Sequence, residues 1–191
     1  MTKTVPNLLT LLRIVMVPFI ALLYLLGAPG FWLALVFLAA SVTDLLDGFL
    51  ARRLNQVSKF GTFLDPVADK VMIAVVLILL VSDSRVLTNS LSASLFSVVT
   101  AVILSREIAI SALREWMSEI GNRTQVAVSG MGKIKTLLQM AAVTFLLYGE
   151  DIGQLPVFRV GEIMLYLAAL LTLWSMVRYL RAAWPELGNP D

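Results

Sequence analysis

The chain has 191 residues, 59% hydrophobic and 15% charged, with a net charge of +2 and a mean hydropathy of +0.86. A soluble domain is roughly half apolar and about a quarter charged, so the excess points to a bilayer as solvent. The absence of cysteine and histidine excludes disulfides, thiolate nucleophiles, Cys/His zinc sites and a histidine general base.

Apolar stretches with helical potential run at 8–27, 31–53, 64–82, 90–117, 134–150 and 160–183, each about the length a spanning helix needs. Turn chemistry separates several of them: Gly27-Ala28-Pro29-Gly30, Asp83-Ser84-Arg85, and Gly149-Glu150-Asp151-Ile152-Gly153. The reading is an all-α membrane protein with six transmembrane helices, in a single domain covering residues 1–191 and without a soluble appendage. Lys3 ahead of the first run also fits a signal peptide, but Arg13 interrupts that run and five further spans follow, which favours a retained helix. Residues 2–12 are expected to lie along the interface before the first helix enters the bilayer.

Charge placement sets the orientation. Lys3, Arg13, Arg52, Arg53, Lys59, Arg123, Lys133, Lys135, Arg178 and Arg181 fall on one side, against Arg85 and Arg159 on the other. The lysine- and arginine-rich side is cytoplasmic, so both termini are expected there.

Four carboxylates interrupt the apolar pattern. Asp44 and Asp47 lie in the second span, and Asp65 and Asp69 open the third. An ionisable group inside a span is expensive and marks function by default. At 100° per residue Asp44, Asp47, Gly48 and Ala51 share one helix face, and Asp65, Ala68 and Asp69 share another. The short basic link from Arg53 to Phe60 makes the two helices antiparallel neighbours, so all four carboxylates can converge. Gathered in a low-dielectric pocket they would repel or take up protons. A pair of Mg²⁺ ions, with Mn²⁺ as the alternative, resolves that conflict and suits in-line phosphoryl displacement. Gly48, Ala51 and Gly61 leave room for a ligand to approach. Asp44 lies nine residues before Arg53, which puts the site roughly 13 Å below the cytoplasmic helix end. Two other readings stand beside this one: structural ion pairs from the aspartates to Lys70, Arg106 or Arg114, and an ion-coupled transporter, although no duplicated half is visible.

The run Asp44-Leu-Leu-Asp47-Gly48-Phe-Leu-Ala51-Arg52, eight residues, then Gly61-Thr-Phe-Leu-Asp65-Pro-Val-Ala-Asp69 resembles the CDP-alcohol phosphatidyltransferase family signature at every defined position. The resemblance continues through Asn7, Thr10, Arg13 and Pro18, through Lys70, through Arg106-Glu107 to Ser111, Arg114 and Glu115, and through Gly132-Lys133-Ile-Lys135-Thr136. These stretches are most similar to bacterial members that use sn-glycerol 3-phosphate as acceptor. The C-terminal helix is the least diagnostic part.

The resemblance implies a CDP-alcohol phosphotransferase fold and transfer of a phosphatidyl group from CDP-diacylglycerol to glycerol 3-phosphate, with release of CMP. It implies that Asp44, Asp47, Asp65 and Asp69 hold two divalent ions and that Asp69 is also the base. It places Gly48, Ala51, Arg52 and Gly61 along the CDP part of the donor. It further implies a homodimer in a bacterial inner membrane. An acceptor phosphate needs a cationic cradle, for which Arg106, Arg114, Lys133 and Lys135 are the candidates. Against that role stand an Arg106–Glu107 ion pair and the positive-inside rule for the lysines. Trp116, Trp174 and Trp184 fit interface belts, Met72, Met131 and Met140 fit packing, and Arg178 and Arg181 mark the inner boundary.

Overall fold

Lipid offers no partner for a backbone N–H or C=O, so a chain this apolar satisfies its peptide groups within helices. The computed structural model describes the backbone of residues 5–53, 59–120 and 130–187. Within those ranges it describes the side chains except at 5–6, 45–53, 59–60, 62–63, 65, 130–133 and 185–187. The helices are α1 (Val5–Leu25), α2 (Gly30–Arg53), α3 (Lys59–Ser82), α4 (Ser84–Asn89), α5 (Ala93–Glu119), α6 (Gly130–Tyr148) and α7 (Val157–Leu187).

Six of these fall on the six apolar stretches of the sequence. Asn7–Leu25, Ala93–Glu119 and Val157–Trp184 are each long and apolar enough to cross a membrane, and Gly30–Asp44 and Ile134–Tyr148 are shorter apolar segments among the described residues. The protein is an all-α membrane protein.

Two local expectations are corrected. Helix α1 runs without a break from Val5, through Pro18, to Leu25, so residues 5–12 form no separate interfacial segment. Asn7, Thr10 and Arg13 recur every three residues on one face, and all three are buried. That polar stripe faces the protein interior rather than the membrane surface. The second correction concerns Asp83-Ser84-Arg85, which is not a bare turn. Asp83 caps α4 by accepting from the Arg85 backbone N–H at 2.8 Å, and Ser92 then caps α5.

The α1–α2 turn closes as a Schellman motif, with Ala28 N–H bonded to Leu23 C=O and Gly27 N–H to Tyr24 C=O, both at 3.0 Å. Its left-handed residue is Gly27, at φ 70°. Helices α6 and α7 pack closely because Gly161 has no side chain; a Cβ there would meet Phe145 Cβ at 2.8 Å. The core runs through the middle of the bundle, where Phe37, Val76, Leu77, Phe96, Ile103 and Leu165 are fully buried. Outward-facing Phe19, Leu38, Ile78, Val98 and Leu170 remain exposed, the pattern of a surface solvated by lipid. Trp174 and Trp184 are exposed as well, whereas Trp116 packs on a small cluster of Ile110, Met117, Tyr179 and Ala183.

Side-chain contacts fix the relative direction of α5 and α7. Leu91 meets Glu162, Arg106 meets Ser175, and Arg114 meets Tyr179, so the two helices run parallel. Arg13, Asp44, Asp69, Arg106, Arg114 and Lys135 therefore collect toward one end of the bundle. Tyr24, Asp83, Leu91 and Glu162 collect at the other.

Candidate active site

Two of the four predicted metal ligands are described, and they meet. Asp44 comes from the second half of α2 and Asp69 from the first half of α3. Their Oδ1 atoms converge on a single atom, Arg13 Nη1 of α1, which lies 2.9 Å from Asp44 and forms a direct ion pair with Asp69. Arg13 is completely buried, while the Asp44 and Asp69 side chains keep relative exposures of 19% and 35%. Ion pairs of these aspartates with Lys70, Arg106 or Arg114 do not form among the described residues. Lys70 donates instead to Ser111, and the two arginines turn toward α7.

The carboxylate pair fits a hard cation. Its donors are oxygens from two different helices, and both already reach one positively charged nitrogen. The side chains of Asp47 and Asp65 lie outside the described residues, as do Gly48, Ala51 and Arg52 of the predicted donor lining. Gly61 is described and buried. Among the described residues no three carboxylates gather at one point, as expected when half of the predicted set lies outside them.

The predicted acceptor residues form a second cluster on α5, α6 and α7. Arg106 and Lys135 are both buried. Arg106 Nη1 pairs with Glu107 Oε1, which also accepts from Lys135 Nζ at 3.0 Å. Glu107 thus ties α5 to α6 and separates two positive charges that would otherwise repel. The ion pair that competes with a binding role for Arg106 is present, yet it does not use the whole guanidinium. Arg106 Nη2 donates to Ser175 Oγ at 2.9 Å, and Arg114 Nη2 donates to Tyr179 Oη at 2.6 Å. The Arg114 guanidinium also lies over the Tyr179 ring, 4.9 Å from its centroid. Nε of Arg106 and Nε of Arg114 are buried and find no acceptor among the described residues. Lys133 lies outside the described side chains.

Sequence reasoning missed Ser175 and Tyr179. They are four residues apart on α7 and therefore share a face, and that face holds both arginines. A hydroxyl pair at this spacing, Ser175 and Tyr179, is the signal that was available.

At the far end of the bundle Glu162 is fully buried. It accepts from Leu91 N–H at 2.8 Å, Arg159 Nη1 at 2.8 Å and Tyr166 Oη at 2.6 Å. Arg159 also donates to Asn89 C=O at 3.2 Å. This network fastens the α4–α5 link to α7. Beside it a cavity of about 220 Å³ is lined by Tyr24, Asp83, Arg85, Asn89 and Glu150, among others. It contains none of the predicted site residues.

Comparison with known proteins agrees with the sequence signature. Residues 3–174 match the family described as CDP-alcohol phosphatidyltransferase. The chain is 46% identical to a protein of Yersinia enterocolitica serotype O:8 / biotype 1B and 46% identical to one of Yersinia pestis (strain Pestoides F), each match covering 100% of both chains. It is 47% identical to a protein of Shigella flexneri serotype 5b (strain 8401), over 98% of both. All three relatives are named CDP-diacylglycerol–glycerol-3-phosphate 3-phosphatidyltransferase.

Proposed function

The chain belongs to the CDP-alcohol phosphatidyltransferase family, and on that premise we propose that it transfers the phosphatidyl group of CDP-diacylglycerol to sn-glycerol 3-phosphate. It is a phospholipid-synthesising transferase that works at the bilayer surface, with its active site and both termini on the cytoplasmic side of a bacterial inner membrane. The observation that carries this reading is the convergence of Asp44 and Asp69, from two helices, inside the family signature. Full-length similarity to enzymes of that name supports glycerol 3-phosphate as the acceptor.

Enzymes of this family are generally dependent on divalent metals. Asp44, Asp47, Asp65 and Asp69 would hold two Mg²⁺ ions, with Mn²⁺ as a substitute. Bound there, the ions would supply positive charge against the donor pyrophosphate and the departing phosphate oxygen.

The remaining chemistry falls to the protein's own groups. A hydroxyl of glycerol 3-phosphate attacks the phosphorus that bears diacylglycerol. A new P–O bond forms, the P–O bond to the cytidylyl phosphate breaks, and CMP leaves. Asp69 accepts the hydroxyl proton, a role that requires hydrogen-bond reach of the attacking oxygen. Gly48, Ala51, Arg52 and Gly61 line the CDP moiety. Arg106, Arg114, Lys133 and Lys135 hold the acceptor's phosphate, and the free Nε–H groups of the two arginines supply donors for that anion. The single domain works as a homodimer.

An acceptor screen tests the reading. The purified protein is given CDP-diacylglycerol and Mg²⁺ with glycerol 3-phosphate or other alcohols, and CMP is measured by mass spectrometry. CMP release that depends on glycerol 3-phosphate is expected; release dependent only on another alcohol refutes the acceptor. Asp69→Asn is expected to abolish turnover while CDP-lipid binding persists, and undiminished turnover removes Asp69 as base.

A further inference from the structure

Arg13 is unusual for its place in the fold. A lone arginine near the start of a first helix reads as an inner-boundary charge, whose side chain would reach for water and headgroups. Here it turns the other way. Its side chain has no exposure, and one of its nitrogens bridges Asp44 of α2 and Asp69 of α3. A guanidinium does not deprotonate in proteins, so this positive charge is permanent. Two carboxylates drawn together where the local dielectric is low repel strongly unless a cation lies between them.

We propose that Arg13 is a fixed counter-cation of the carboxylate site: it bridges Asp44 and Asp69 in the absence of metal and would share them with the divalent ions when these bind. Arg13 is thus a positioning residue for the metal ligands and does not touch substrate. The proposal rests on the metal reading above. It ties α1, which supplies none of the predicted ligands, to the geometry of α2 and α3. It also explains how the bundle tolerates converging aspartates before metal is present. The consequence follows from linkage. A tethered cation that stabilises the metal-free site more than the loaded one weakens metal binding by the same factor.

The test compares the full-length wild type with Arg13→Gln and Arg13→Lys in detergent micelles. Thermal unfolding is followed in EDTA and in saturating Mn²⁺, and Mn²⁺ affinity is measured by electron paramagnetic resonance. Arg13→Gln is expected to unfold at a lower temperature in EDTA and to regain most of the difference in Mn²⁺. Its Mn²⁺ affinity is expected to rise by about three- to tenfold, the scale of removing one nearby like charge that is partly screened. Arg13→Lys keeps the charge without the planar fork and is expected to fall between. An equal loss of Tm with and without Mn²⁺ assigns Arg13 to packing alone and overturns the proposal, as does unchanged or weaker Mn²⁺ binding. If Arg13→Gln does not fold, Arg13→Lys decides: a metal-induced shift larger than wild type supports the proposal and an equal one overturns it. A wild type that Mn²⁺ neither binds nor stabilises refutes the metal reading itself, and the counter-cation role with it.

Discussion

Tyr179 offers a clean perturbation of the acceptor site, because its hydroxyl and its ring hold Arg114 in two separable ways. Tyr179→Phe removes the oxygen that accepts from Arg114 Nη2 at 2.6 Å and leaves the ring 4.9 Å from the guanidinium. The charge at the site is unchanged; only its aim is loosened. A hydrogen bond to a charged group contributes about 1.5–3 kcal/mol. The ring contact is kept in the variant and cancels from the comparison. A loss at the lower end of that range, about 1.5 kcal/mol in orienting the acceptor phosphate, corresponds to roughly a tenfold fall in kcat/KM for glycerol 3-phosphate. Initial rates of CMP release measure this, with each substrate varied in turn while the other is saturating. The donor KM is expected to stay near the wild-type value, since no described contact links Tyr179 to the donor lining. Tyr179→Leu removes both contacts and is expected to lower the acceptor parameter further. Parallel losses for donor and acceptor would mean that Tyr179 supports the bundle rather than the arginine, and the argument would fail.

Two predictions concern the opposite end. Glu162→Ala strips three donors of their acceptor, and at about 1–1.5 kcal/mol for each lost bond it costs roughly 3–5 kcal/mol; Tm should fall and hydrogen exchange at the Leu91 amide should quicken. Slow exchange at Leu91 in that variant would contradict the anchoring role. Asp83 is pH-dependent: the hydrogen bond from the Arg85 side chain holds its carboxyl below the ordinary value of 3.8. A depressed folded pKa gives stability that is present above the unfolded value and lost as pH falls through the folded one. Asp83→Asn should therefore be less stable than wild type at neutral pH, with the gap closing in acid below pH 3.8. A gap that persists in acid shows that the charge of Asp83 is not what matters.

The helices were legible in the sequence because a continuous apolar run of about 20 residues satisfies its backbone in lipid as a helix, at a length that the bilayer sets. The approach of Asp44 and Asp69 was legible in part: a short link keeps the two helices close and 100° per residue assigns the faces, but the two carboxylates meet through Arg13 of α1, which packs on both helices. The counter-charges were harder. Arg13 taken alone reads as a positive-inside residue; its spacing with Asn7 and Thr10 marks one polar face, and the packing of α1 against α2 and α3 shows that this face points inward. Arg106 and Arg114 sit about 80° apart around α5, which suggests divergence. Their long side chains nevertheless reach two residues one turn apart on α7. Glu162 was missed because a single carboxylate near a helix end reads as a loop charge until three donors are seen to surround it. Side-chain reach across helices is a tertiary property, and no periodicity in one helix encodes it.

These contacts divide the proposed chemistry between two groups of helices. Helices α1, α2 and α3 carry the carboxylates and Arg13, while α5, α6 and α7 carry the cationic cluster. The second group is tied at both ends: α7 meets the start of α5 through Glu162 and its inner half through Ser175 and Tyr179, and Glu107 draws in α6. An in-line displacement requires the acceptor hydroxyl, held on the second group, to meet a phosphorus held on the first within a fraction of an ångström. The two groups meet where α2 packs on α6 and, beside the site, at a seam between α3 and α5. Lys70, the residue after Asp69, crosses this seam to Ser111, which lies between Arg106 and Arg114. The seam therefore connects the proposed base to the acceptor cradle through one direct polar link.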